Sequence, residues 1–167
     1  MKKKYKILVI SIVVLFIILA IYFKLQGRHF NGNAETVQCT YVAAKDGDSM
    51  VVEIDGEEVE VRLIGINTPE RGTEEGEEAY KFVKEYLTKG QILFLEYDKE
   101  RYDKYDRTLA YIWLNDSCDY NNIEDFKQYC LNAIILQGTN CESVYYRPNG
   151  KYKDWFETIE VIKHING

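Results

Sequence analysis

Four residues have the types and the placing for phosphoryl chemistry. Asp48 sits in a tight acidic turn, Asp46-Gly47-Asp48-Ser49. Arg62 ends a strand-like run and is followed closely by Glu70. Arg107 closes a charged loop, Asp98–Arg107. Hydrolysis of a phosphodiester needs three parts. Positive charge must offset what develops on the phosphoryl oxygens, a base must orient or deprotonate water, and arginine forks must grip the equatorial oxygens. Two arginines, a carboxylate and a hard cation held by oxygen ligands can supply them. Each residue also has an ordinary reading. Arg62 can pair with Glu60 or Glu70, Arg107 with Asp103 or Asp106, and Asp48 can cap its turn. The two histidines, His29 and His164, are too few for Ser-His-Asp chemistry to look natural. No GxGxxG, P-loop, GxSxG or EF-hand pattern is present.

These residues need elements to hold them. Thr36–Lys45 is β-prone. Met50–Ile54 and Glu57–Ile64 flank Asp55-Gly56, a two-residue hairpin signal. In the second run Val59, Val61 and Leu63 share one face, and Glu58, Glu60 and Arg62 the other. Pro69 ends the strand by removing a ladder donor. Arg71–Gly76 reads as a loop. Glu77–Lys89 reads as a helix with Gly90 as its C-cap. Gln91–Tyr97 and Thr108–Leu114 read as strands. A helix is predicted from the N-cap Asn122 to Gln137, stopped by Gly138. A short amphipathic helix carrying Trp155, Phe156, Ile159 and Ile162 follows. Five strands can close into a small barrel with a helix plugging one end. The class is α+β, mainly β, with about three helices.

The 167-residue chain holds 21 Lys+Arg against 27 Asp+Glu, a net charge of −6. The average hides an asymmetry. Residues 1–34 carry six bases and no acid, so residues 35–167 are net −12. That excludes a protein holding nucleic acid by a general basic surface. A 46% apolar fraction with 14 Tyr, 7 Phe and 2 Trp excludes disorder. Residues 7–23 are uncharged and follow a lysine cluster at residues 2–6, the layout of a signal peptide or membrane anchor. Seventeen such residues rise about 25 Å as a helix, near the lower limit for a bilayer. The expected organisation is a basic cytoplasmic n-region (1–6), a hydrophobic helix (7–23), a linker (24–35) and one domain (36–167). That places the domain at the outer face of the membrane, or secreted. Outside the cell, the four cysteines, Cys39, Cys118, Cys130 and Cys141, favour disulfides, with three possible pairings, over the alternative of buried free thiols.

Three segments then fall in order. They are Asp46-Gly47-Asp48-Ser49, Val61 to Glu70 (VRLIGINTPE), and Asp103 to Tyr111 (DKYDRTLAY). Their types and separations resemble the signature segments of the staphylococcal nuclease-like family, over about residues 36–160. Tyr145-Tyr146-Arg147-Pro148 resembles that family's tyrosine-rich segment before the last helix. The resemblance implies a five-stranded OB-type barrel with three helices. It implies Ca²⁺-dependent hydrolysis of DNA and RNA, single-stranded or denatured forms favoured, with little sequence preference. It implies Asp48, Asn67 and the Thr68 carbonyl as metal ligands, and Arg62, Glu70 and Arg107 as the catalytic set. Lys104, Tyr105 and Tyr146 are implied as substrate contacts, and a monomer is expected. Asn67 stands where the family usually has Asp, so weaker calcium binding is expected. Asp106 stands where glycine is usual, a position that tolerates Asp in left-handed backbone. The alternative is a catalytically weak or inactive OB-fold module that binds single-stranded nucleic acid or a cell-surface partner.

Overall fold

A computed structural model describes residues 35–166 of the chain. The n-region, the hydrophobic helix and nearly all of the linker lie outside the described residues. Strands β1 (Thr36–Ala44), β2 (Ser49–Ile54), β3 (Glu57–Leu63), β5 (Ile92–Glu96) and β6 (Thr108–Trp113) close a barrel in the order β1-β2-β3-β6-β5. Neighbours are antiparallel except β3 and β6, which run parallel. A two-residue pair, β4 (Ile66–Asn67) with β7 (Glu142–Ser143), lies beside the barrel in the fold order.

The strands follow from their patterns. Asp55 and Gly56 both have positive φ, 53° and 87°, so they form the primed turn whose twist suits a hairpin. That turn sets Val52 opposite Val59 and Ser49 opposite Arg62. Val61 and Leu63 are buried in the barrel, while Arg62 is on the other face at its end. β6 is buried on both faces. Ala110 and Ile112 face the barrel, and Tyr111 and Trp113 face the helices. Trp113 meets Tyr120 at 4.4 Å between centroids and Phe126 at 5.8 Å, edge to face. Tyr111 meets Tyr152 at 4.8 Å.

Four helices pack outside: α1 (Glu74–Tyr86), α2 (Ile123–Tyr129), α3 (Leu131–Gly138) and α4 (Lys153–Asn166). The single helix predicted over 122–137 is two. Cys130 adopts extended backbone (φ −85°, ψ 113°) and bridges to Trp113, while the Leu114 N–H donates to the Tyr129 carbonyl at 2.9 Å. Sheet pairing therefore overrides helix periodicity at that point. Asn122 caps α2 as expected, accepting from the N–H groups of Glu124 and Asp125. α1 starts three residues earlier than predicted, because Thr73 caps it and accepts from the Gly76 N–H at 3.1 Å. It also ends before Gly90, which instead turns the chain back, its N–H donating to the Tyr41 carbonyl at 2.9 Å. Gly65 (φ +87°) lets α4 approach the β3–β4 turn, since a Cβ there would stand 2.2 Å from the Phe156 ring.

The cysteines do not pair. All four are free and buried, which corrects the disulfide expectation. Cys39 lines the barrel opposite Leu93, Cys130 sits at the α2–α3 break, and the Cys118 and Cys141 thiols donate to the carbonyls of Asn115 and Glu142. Burial pushes the Cys39 and Cys141 thiols up to about 12 and Cys118 to about 11. They are packed as small apolar groups. Among the described residues no helix is long and apolar enough to cross a membrane.

Candidate active site

The site is built on the β1–β2 turn, the end of β3 with its continuation, and the loop before β6. In the first, the N–H groups of Lys45 and Asp46 both donate to the Ser49 carbonyl, at 2.9 and 3.2 Å. The Asp48 N–H donates to Asp46 Oδ1 at 3.0 Å. Gly47 allows this turn to close on α1. A Cβ there would lie 2.6 Å from Ala79 Cβ and 2.7 Å from Thr68 Cγ2. Asp48 is buried, and its Oδ2 accepts from the Thr68 N–H at 2.8 Å. One carboxylate thus ties the turn to the segment after β4.

Arg62 is held by four oxygens. Its Nη1 donates to the carbonyls of Leu63 (2.6 Å) and Ile66 (2.9 Å). Its Nη2 donates to Asn67 Oδ1 at 3.1 Å and lies 3.1 Å from Asp48 Oδ2. The partner is Asp48, not Glu60 or Glu70; Glu60 pairs with Lys45 at 2.5 Å. Glu70 is exposed, and among the described residues its carboxylate makes no ion pair. Its carbonyl accepts from Thr73 Oγ at 2.8 Å, which fixes the backbone ahead of α1.

Arg107 is held by Asp103, not Asp106. Its Nε and Nη2 reach Asp103 Oδ2 at 2.8 and 2.7 Å. The N–H groups of Tyr105 and Arg107 donate to Asp103 Oδ1 at 2.9 and 3.0 Å. Partial burial acts to raise the Asp103 carboxyl, but these two N–H groups and the guanidinium outweigh it and hold it below the usual carboxylate range. Asp106 sits in left-handed backbone at φ 61°, as the sequence predicts for the residue replacing glycine.

One cleft of about 610 Å³ is lined by all nine residues singled out in the sequence: Asp48, Arg62, Asn67, Thr68, Glu70, Lys104, Tyr105, Arg107 and Tyr146. Its lining also includes Asp46, Tyr102, Asp103 and Arg147, to which sequence reasoning gave no catalytic or binding role. Asp46 and Asp103 carried a signal, being acids two and four residues from Asp48 and Arg107. Tyr102 carried none among 14 tyrosines.

The donors at the Asp48 end suit a hard cation. They are oxygens: the carboxylates of Asp46 and Asp48 and the Asn67 amide oxygen, with Thr68, whose carbonyl the resemblance implies as a ligand, next to them in the cleft. Burial and the neighbouring Asp48 charge push the Asp46 carboxyl up. Among the described residues no group of three or more His, Cys, Asp or Glu is placed to hold a metal. The set therefore depends on the neutral oxygens of Asn67 and Thr68.

Residues 60–161 match the family described as staphylococcal nuclease homologue. The chain is 33% identical over 163 residues to the thermonuclease of Staphylococcus hyicus, covering 90% of this chain and 88% of that protein. It is 36% identical over 121 residues to the thermonuclease of Staphylococcus intermedius, covering 69% of this chain and 64% of that protein. It is 32% identical over 139 residues to endonuclease YncB of Bacillus subtilis, covering 79% and 60%. With its closed five-stranded barrel and these matches, the chain belongs to the staphylococcal nuclease family.

Proposed function

We propose that this chain is a calcium-dependent nuclease that hydrolyses phosphodiester bonds of DNA and RNA with low sequence specificity. The observation that carries the reading is the gathering of Arg62, Arg107, Glu70 and Asp48 on one cleft. Arg107 offers a fork oriented by Asp103, and Arg62 one oriented by the carbonyls of Leu63 and Ile66. An arginine fork suits bidentate capture of phosphoryl oxygens, and at Arg62 the incoming phosphate would displace protein oxygens. Glu70, exposed and without an ion pair among the described residues, would orient water or take its proton. Asp48, Asn67 and the Thr68 carbonyl would hold the calcium ion. When bound, the ion supplies positive charge against that developing on the phosphoryl oxygens. Lys104, Tyr105 and Tyr146 contact the nucleotide, the rings by stacking.

A second reading draws on a specific contact. Arg62 Nη2 is taken up by Asp48 and Asn67, so a phosphate reaching it must compete with two protein oxygens. A module that binds single strands without cleaving them fits that arrangement.

The deciding experiment incubates the full chain with denatured DNA, in millimolar Ca²⁺ or chelator, beside Arg62→Ala. Calcium-dependent cleavage lost in the variant supports the enzyme. Binding without cleavage supports the module. The lysine cluster and apolar run of residues 1–23 lead us to propose that the domain is exported or tethered at the outer membrane face. Digestion by external protease on intact cells tests this, and protection would overturn it.

A further inference from the structure

The cleft carries an aromatic ring that the phosphate grip does not use. Tyr86, Tyr102, Tyr105, Tyr145 and Tyr146 are exposed, Tyr102 at 60% and Tyr146 at 71%. Most of these rings already have a partner. Tyr86 stacks on Phe82, Lys104 lies over Tyr105, and Lys153 over Tyr145. Even the more sheltered Tyr97 and Tyr80 are covered by Arg101 and Arg71. Among the described residues, Tyr102 and Tyr146 alone of the exposed five have neither ring nor cation on them, and both line the cleft. Arg147 also lines it, exposed and without an ion pair among the described residues.

The backbone beneath is fixed. The Glu100 N–H donates to Asn149 Oδ1 at 2.7 Å, and Asn149 Nδ2 donates to the Glu100 carbonyl at 2.9 Å. Asn149 is buried, and Asp98 accepts from the N–H groups of Gly150 and Lys151. Tyr102 lies two residues after one end of this clasp, and Arg147 two residues before the other. Tyr102 is further held by backbone pairing with Thr108. Two loops distant in sequence thus present to the same space an open ring and a guanidinium without an ion pair among the described residues.

We propose that Tyr102 and Arg147 form a second nucleobase subsite, in which an unpaired base stacks on Tyr102 and Arg147 meets the adjoining phosphate. The proposal rests on the nuclease reading above and extends it: the substrate is a single strand engaged over at least two nucleotides. An aromatic face accepts any base, so the subsite selects unpaired strands, not sequences.

The test uses the full chain with two substrates, an oligothymidylate and a one-base aryl phosphodiester of thymidine. Tyr102→Ala is expected to raise KM on the oligomer about tenfold. On the one-base ester KM should change less than twofold, with kcat similar on both. Tyr102→Trp restores the oligomer KM. Arg147→Ala should lower the salt dependence of oligomer binding by about one unit of log–log slope. Equal KM effects on both substrates, or none on the oligomer, would overturn the subsite. If the wild-type chain cleaves neither substrate, the nuclease reading fails on its own. Oligomer affinity by fluorescence anisotropy then decides the subsite, and an unchanged Kd in Tyr102→Ala sinks it.

Discussion

The guanidinium of Arg62 stands 3.1 Å from the Asp48 carboxylate, with 13% and 9% of the two side chains exposed. The pair is sheltered, so removing one partner strands the other. Arg62→Ala leaves Asp48 with the Thr68 N–H and Ser49 hydroxyl as its remaining partners. It also removes donors to Leu63 and Ile66. We expect it to lose about 3 kcal/mol of stability. Nuclease turnover should fall about 10²–10³-fold. Arg62→Lys keeps the charge but not the fork, and should recover stability more than turnover. Urea denaturation beside single-turnover kinetics checks this. A Lys variant with full turnover would show that charge alone suffices.

Asn67→Asp tests how the cation is held. Asn67 Oδ1 and Asp48 Oδ2 already share Arg62 Nη2, so a carboxylate at 67 faces an attraction and a repulsion of similar reach. A divalent ion between two carboxylates outweighs both. The Ca²⁺ concentration for half-maximal activity should fall several-fold. An unchanged or higher value means that Asn67 is not a ligand.

What was legible in the sequence divides along a physical line. Alternation placed Val61 and Leu63 inward and Arg62 outward, and Asp55-Gly56 announced its turn, because both are local effects. The break at Cys130 was not legible, since it is imposed by Trp113, far away in sequence. Gly76 read as loop because glycine is a poor helix former. It lies inside α1, which the Thr73 cap starts earlier, and a Cβ there would stand 2.1 Å from the Glu70 carbonyl oxygen. The motifs singled out nine residues that line one cleft. Their partners were not legible: Arg62 has acids at 60 and 70 nearer in sequence, yet takes Asp48 across the hairpin register that sets Ser49 opposite Arg62.

Asn132 shows how a buried polar group positions the site from behind. It is fully buried on α3. Its Oδ1 accepts from the Ile112 N–H at 3.0 Å, and its Nδ2 donates to the Ile64 and Ala110 carbonyls at 2.8 and 3.3 Å. It thereby joins α3 and β6 to the turn between β3 and β4, the stretch linking Arg62 to Asn67. Asn132→Leu keeps the volume and removes every partner. A loss of about 3 kcal/mol is expected, because a buried donor and acceptor are left unmet. Urea unfolding measures it, and a loss under about 1 kcal/mol would mean the groups find other partners.

Asp103 predicts a pH dependence whose sign can be worked out. Its folded carboxyl is held below the ordinary value, so the unfolded chain takes up a proton first as pH falls. Its stabilisation is full above the unfolded aspartate value, about 4. It is lost as pH falls from there through the folded value. Asp103→Asn keeps an oxygen for the Tyr105 and Arg107 N–H groups but loses the charge that holds the guanidinium. The variant should be less stable at neutral pH, and its stability should fall less steeply below about pH 4. With Arg107 no longer held, kcat should drop more than KM changes. Thermal unfolding across pH 2.5–7 measures the first effect, a range set by the aspartate window of about 4. Parallel curves for the two proteins would show that Asp103 titrates as it does in the unfolded chain.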